Sequence, residues 1–224
     1  MFTGLVQAMG KIKSIQDQGG DKRIVIETTG LDLKQAKLGD SIAVSGVCLT
    51  AIEIRASEFT ADVSNETLDL TTAGDWQIGS PVNLEKSLTL STPLGGHLVS
   101  GHVDGIAEIV AIAPDARSTR LRLQVPQKLA HYIAAKGSVC LDGVSLTVNK
   151  VEGAEFEINL VPHTLQVTTL KAWQVGTKVN LEVDLVARYL ERLLLGQRAD
   201  GGEKSSIDLA FLQRNGFAPG GSEE

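Results

Sequence analysis

Two side chains with nucleophilic character stand at the same place in two copies of one pentapeptide. Cys48 lies in GVCLT (46–50) and Ser145 in GVSLT (143–147). A thiol or hydroxyl can attack an electron-poor carbon or hold a developing anion, provided a base or polar partner is near. The chain has only four histidines, and two of them, His97 and His102, sit five apart in GGHLVSGH. Imidazoles are suited to proton transfer near neutral pH. No Cys/His/carboxylate cluster at metal-ligand spacing surrounds them, so no metal is expected. Gly95-Gly96 has no GxGxxG or GK[ST] around it, so no phosphate loop is read there. Cys48 can equally be a small buried hydrophobe. A serine at the matching place argues the other way, because a buried hydroxyl needs a hydrogen-bond partner. Both readings stay open on the residues alone.

The pentapeptide is the centre of a longer match at an offset of 97 positions. WQIGSPVNLE (76–85) lies over WQVGTKVNLE (173–182), and TGLVQAMGKIKSI (3–15) over SGHVDGIAEIVAI (100–112). No gap is needed, and 19 of the 50 pairs between 39–88 and 136–185 are identical, too many for chance. A period of this length exceeds that of solenoid units, so each copy is expected to own a core. The expected division is 1–97, 98–186 and a tail, 187–224.

The copies act as controls for one another. Shared positions serve the fold, and positions that differ in chemical type mark separate jobs. Cys48 faces Ser145, Leu5 faces His102, Ser45 faces Asp142, Glu66 faces His163, and Ser87 faces Asp184. The hydroxyls of Thr50/Thr147 and Thr67/Thr164 occur in both copies and read either as contacts to one polar ligand or as strand-end caps.

The elements that must position these groups are short and β-like. RIVIET, SIAVSGVCLTAIEI, EFTADVS and PVNLEKS show β-branched residues and partial alternation between turn residues, as do their equivalents in the second copy. One short helical stretch is read in PQKLAHYIAAKG (126–137). Five to six strands per copy predict an all-β fold of two small closed barrels, which also removes exposed edges. The tail differs. DLVARYLERLLLGQR (184–198) has the spacing of an amphipathic helix ending near Gly196 with Asp184 as its cap, and a short helix is read in SSIDLAFLQRNGF. The first helix would either fold back on its own barrel or bind a partner subunit.

Composition narrows the function classes. The net charge of −6, with 42% hydrophobic residues, argues against a nucleic-acid or acidic-membrane partner and for an ordinary globular protein. Two cysteines are too few for a disulfide framework. MFTGLV carries no basic n-region, and no run is long enough to span a membrane, so a cytoplasmic location is expected.

MFTGLV, SGVCLT, NETL, GGHLVSGHVDG, DGVSLTV, PHTL and VNLEVD stand in order along 1–196. With this set the chain resembles the riboflavin synthases built from two lumazine-binding repeats. SIDLAFLQRNGF is similar to the C-terminal extension of some members. Some members show Cys-Cys-Leu-Thr where this chain has Val47-Cys48-Leu49-Thr50, so a cysteine at 47 is not essential here. The resemblance implies tandem six-stranded Greek-key barrels plus a C-terminal helix. It also implies a dismutation in which two molecules of 6,7-dimethyl-8-ribityllumazine exchange a four-carbon unit without metal or cofactor. The implied assembly is a homotrimer joined by that helix, with the site between the N-barrel of one subunit and the C-barrel of another. Some members also associate with lumazine synthase.

Carried over residue by residue, the resemblance implies an N-barrel pocket of Gly4, Leu5, Val6, Cys48, Leu49, Thr50, Asp62, Val63, Ser64, Asn65, Glu66 and Thr67, with Phe2 and Ser41 nearby. The implied C-barrel pocket comprises Gly101, His102, Val103, Lys136, Ser145, Leu146, Thr147, Asn159, Leu160, Val161, Pro162, His163 and Thr164, with His97 also in contact with substrate. His102 is the expected proton-transfer group, Ser145 and Thr147 support the anion, and Cys48 is the nucleophile or polar partner opposite. Ser41 and Asp184 complete the expected catalytic set. A non-catalytic lumazine- or flavin-binding antenna on the same scaffold is the rival reading, and absorbance separates the two: the enzyme turns added lumazine into riboflavin, and an antenna only retains its chromophore. A plain interaction module would leave the matched polar groups unexplained.

Overall fold

The computed structural model describes residues 1–199. The first copy contains β1 (Ala8–Gln18), β2 (Asp21–Glu27), β3 (Ser41–Val44), β4 (Val47–Thr50), β5 (Glu53–Arg55), β6 (Glu58–Val63), α1 (Asn65–Leu70) and β7 (Pro81–Lys86). The second contains β8 (Gly105–Asp115), β9 (Ser118–Gln124), β10 (Ser138–Leu141), β11 (Val144–Glu152), β12 (Glu155–Leu160), α2 (Pro162–Val167) and β13 (Lys178–Val183). The fold is all-β, with few helices.

The second copy is a closed barrel in the order β10-β11-β12-β9-β8-β13, a Greek-key path in which β10 crosses past its predecessor to pair with β13. The first copy forms a sheet in the order β4-β3-β7-β1-β2-β6-β5. Its two end strands, β4 and β5, are successive stretches of chain separated only at Ala51 and Ile52, so the sheet curls back on itself. The single strand β11 occupies the equivalent place and carries a bulge between Val148 and Lys150, the counterparts of Ala51 and Glu53. The same irregularity thus bends one strand and interrupts the other.

Each copy has its own apolar core. Phe59 and Phe156, Ile12 and Ile109, and Leu84 and Leu181 are fully buried counterparts, and Ile24 and Ile26 are answered by Leu121 and Leu123. Swaps that conserve volume preserve packing, and each such side chain contributes about 1.5–3 kcal/mol of burial. The expected helix at 126–137 is only a six-residue 3-10 helix at Gln127–Tyr132. The sequence carries no helical period at α1 or α2. At six residues they are too short to show a helical period, and what makes them is local: the Ser64 side chain caps α1 at the Thr67 N–H, and Pro162 opens α2.

The copies meet back to back through the β3–β4 and β10–β11 turns. Ser45-Gly46 and Asp142-Gly143 all have positive φ, 44° and 80° against 44° and 81°, as a tight hairpin turn requires. A Cβ on Gly46 would lie 2.8 Å from the Gly143 N, and one on Gly143 would lie 2.9 Å from the Gly46 N. Asn83 and Asn180, also counterparts, tie each copy to the other. Asn83 Nδ2 donates to the Asp142 carbonyl and its Oδ1 accepts from the Thr169 N–H, and Asn180 does the same with Ser45 and Thr72. These glycines recur because two turns must touch without side chains between them.

The separate unit beyond residue 185 contains α3 (Leu185–Ala199), which starts directly after Asp184 and runs through Gly196 rather than ending there. Among the described residues no helix is long and apolar enough to cross a membrane. The helix read in SSIDLAFLQRNGF lies outside the described residues.

Candidate functional site

Two lead-in segments, each belonging by sequence to one copy, are seated on the other. Phe2 and Val99 pair across an antiparallel bridge, 2.7 Å for the Phe2 N–H and 3.1 Å for the Val99 N–H. From that crossing, residues 3–6 run to the second barrel and residues 100–103 to the first. The Ser145 N–H donates to the Gly4 carbonyl at 2.8 Å, and the Cys48 N–H donates to the Gly101 carbonyl at 2.8 Å. Val6 packs on the second barrel's core and Val103 on the first's. Gly4-Leu5-Val6 therefore lie at the C-barrel and Gly101-His102-Val103 at the N-barrel, the reverse of the sequence expectation. Offset comparison shows which residues correspond, but it is silent on which barrel a segment docks against.

The N-barrel cleft, about 370 Å³, is lined by Val47, Cys48, Glu66, Thr67, Leu70, Thr71, Gly101, His102 and Val103. Cys48 is half-buried there and His102 exposed. Gly101 has to be glycine: its φ is +80°, and a Cβ would lie 2.6 Å from the Cys48 Cβ.

Around Ser145 the polar partner is His97. Its Nδ1 is 2.7 Å from the Ser145 Oγ, and its backbone N–H donates to the Thr3 carbonyl at 3.2 Å. Burial pushes the imidazole below its ordinary value, opposed by the nearby Asp184 carboxylate. His97 Nε2 is enclosed and has no hydrogen-bond partner among the described residues. A mostly neutral imidazole on a serine hydroxyl, with a carboxylate in range, can accept a proton and stabilise the charge it acquires. The close passage depends on Gly96, where a Cβ would lie 2.0 Å from the Thr3 carbonyl oxygen. His97 has no counterpart at the 97-residue offset, so comparing the copies could not single it out.

The other expected residues fall into three settings. Phe2, Val63, Leu49 and Leu160 are buried: Phe2 forms a cluster between the copies with Ala43, Val99 and Cys140, and the other three belong to the barrel cores. For Val63, Leu49 and Leu160 strand alternation decides this, since inward residues cannot also face a ligand outside the barrel. Others hold the local backbone. Ser64 caps α1, the Asn65 N–H donates to Asp21, and Pro162 opens α2. Lys136 sits in an exposed turn at φ +67°, where its counterpart is Gly39. Asp62 is exposed and paired with Arg23 at 2.7 Å, which holds its carboxyl below the usual range. Asn159 donates to Asp115 at 2.7 Å. The remaining group does not line the Cys48 cleft. Thr50 pairs with Ser41, and Thr147 with Ser138. Ser41 lines a hollow of about 230 Å³ that shares no lining residue with the Cys48 cleft. Leu146 packs against the second core, Val161 and His163 are exposed, and the Thr164 carbonyl accepts from the Thr168 hydroxyl. Among the described residues no group of three or more His, Cys, Asp or Glu could hold a metal ion.

A cleft at Cys48 and an equivalent strand site at Ser145 on a duplicated barrel define a class, and the comparisons agree on it. The lumazine binding domain model matches residues 3–87 and again 100–184. The chain is 45% identical to the riboflavin synthase of Photobacterium phosphoreum over 97% of this chain and 99% of the other. It is 38% identical to that of Bacillus subtilis over 97% and 100%. Among solved structures, LumP complexed with riboflavin superposes with a TM-score of 0.74 at 26% identity, covering 82% of this chain and 99% of that one. The chain belongs to the riboflavin synthase family.

Proposed function

We propose that the Cys48 cleft and the equivalent strand site at Ser145 each receive one molecule of 6,7-dimethyl-8-ribityllumazine. The chain is a riboflavin synthase, a transferase that passes a four-carbon unit between two such molecules to give riboflavin and 5-amino-6-(D-ribitylamino)uracil. One observation carries the site reading: at equivalent strand positions the Cys48 and Ser145 N–H groups each donate to a segment from the opposite copy. Two identical substrates call for two near-identical cups, and holding them in fixed orientation supplies much of the rate.

The acidic proton of the reaction is on the C7 methyl of one lumazine, whose carbanion delocalises into the ring. The Ser145–His97 pair is the group placed to remove it, with Asp184 favouring the imidazolium that results. His102 belongs instead with Cys48, in the cleft of the electrophilic partner. Thr67 and Thr164 offer hydroxyls to the polar substrate in each cleft. The exposed apolar residues of α3, Val186, Tyr189, Leu190 and Leu193 among them, support assembly into a homotrimer, in which clefts of different subunits would face one another. Association with lumazine synthase and a cytoplasmic setting complete the reading.

Incubating pure protein with 6,7-dimethyl-8-ribityllumazine and a chelator, and following riboflavin fluorescence, tests it. Turnover that is second order in bound substrate is expected, and retention of unchanged lumazine would favour the antenna reading. That reading has less support, since LumP is the more distant relative at 26% identity.

A further inference from the structure

The mechanism uses neither Glu85 nor Glu182, yet both are buried and each accepts three hydrogen bonds. They are counterparts on β7 and β13, 4% and 3% exposed, and both point out of their own barrels toward the seam between the copies. Glu85 accepts from the Thr3 N–H (2.7 Å), the Thr3 hydroxyl (2.6 Å) and the Gly4 N–H (3.0 Å). Glu182 accepts from the Ser100 N–H (2.6 Å), the Ser100 hydroxyl (2.7 Å) and the Gly101 N–H (2.9 Å). The same two hydroxyls then accept from the next backbone N–H, those of Leu5 and His102. Each carboxylate therefore sits in a nest of three donors at the bend of one lead-in segment.

That bend is the part of the segment that reaches the other barrel. Glu85 belongs to the first barrel, and the Gly4 it holds presents its carbonyl to Ser145 on the second. Glu182 belongs to the second barrel, and the Gly101 it holds presents its carbonyl to Cys48 on the first. We infer that Glu85 and Glu182 are crossed positioning residues: each acid in one barrel sets the geometry of the catalytic cleft on the other. The chemistry favours a carboxylate over an amide here, because three donors converge on two oxygens and leave no place for an NH₂ group. The consequence is that neither repeat can assemble its own cleft, which explains why the duplication stays fused in one chain. This inference rests on the reading of the two clefts as substrate sites.

Cys48 provides a direct reporter, since it lines its cleft and Cys140 is buried. The full-length protein is titrated with riboflavin while iodoacetamide alkylates Cys48, in wild type, Glu182→Ala and Glu85→Ala. Losing a charged acceptor from three donors should raise the riboflavin needed for half-protection about tenfold in Glu182→Ala and leave Glu85→Ala within about twofold of wild type. Amide hydrogen exchange without ligand reads the clamp alone: Glu182→Ala should speed exchange at Gly101 and Cys48, and Glu85→Ala at Gly4 and Ser145. Equal shifts in both variants, or exchange that changes only in the barrel carrying the substitution, would overturn the crossed assignment. Crossed exchange with no riboflavin protection in wild type would sink the site reading and leave the clamp standing. Where an alanine variant does not fold, the glutamine variant keeps one acceptor oxygen and should show the same pattern at about threefold.

Discussion

The two barrels share a backbone down to their bulges and differ in a handful of side chains around one seam. On the first, the cleft carries Cys48, Glu66 and an exposed His102. On the second, Ser145 meets His97, a residue from the linker with no partner in the repeat. Ser45 and Asp142 do the same job at the two turns, each accepting a backbone N–H from its own barrel's asparagine, Asn83 at 3.2 Å and Asn180 at 2.8 Å. The two frames are equivalent, and one of them carries a hydrogen-bonded serine–histidine pair that the other lacks. The difference teaches that unlike residues such as Ser45 and Asp142 can hold the seam alike, while Cys48 and Ser145 stand in different polar surroundings.

The largest effect should come from breaking the symmetry of the seam itself. Gly143→Ala places a Cβ 2.9 Å from the facing Gly46 backbone at a φ of +81°. A cost of about 3 kcal/mol or more is expected, read as a lowered urea midpoint, and Gly46→Ala should match it. A difference between the two would show that one turn can yield alone.

Next comes the proton-transfer assignment. His97→Gln should lower kcat about 100-fold with little change in KM, because it removes a transition-state role. His102→Gln should cost about tenfold or less, chiefly in KM. Steady-state kinetics with 6,7-dimethyl-8-ribityllumazine separates them, and the reverse order would return the base to the first barrel.

Asp142 sharpens the comparison through pH. Burial of its carboxyl, ahead of the opposing bonds from the Asn180 N–H and the Trp173 side chain, pushes it from 3.8 up to about 7. The residue as a whole is only half-buried, but the carboxyl itself is enclosed. The folded chain holds this proton where the unfolded chain has lost it. Its contribution to stability is therefore full below 3.8 and falls away as pH rises to about 7. Asp142→Ser, which imports the first copy's residue, should flatten that part of the stability profile in urea titrations between those pH values. The smallest expected effect is Cys48→Ser, the residue of the second copy, with kcat reduced less than about tenfold if the thiol acts as a polar partner. A far larger loss would make it the nucleophile.

Much of this was legible in the residues. The duplication, the β character and the pairing of Cys48 with Ser145 follow from spacing and side-chain type, and those are properties of the linear chain. α1 and α2 were not legible, because a cap and a proline over six residues leave no period to detect. Nor was the buried place of Phe2, since a residue near the terminus shows no alternation from which burial could be inferred.

What the sequence by itself determined was the identity of the parts: two matched frames, the positions where they differ, and the turn glycines. What only the tertiary structure decided was the partnership among them. Residues 3–6 serve the second barrel and 100–103 the first, Phe2 lies between the copies, and His97 meets Ser145. The physical reason is that strand and turn preferences are local, whereas a lead-in segment settles where distant carboxylates and backbone groups satisfy its buried N–H donors.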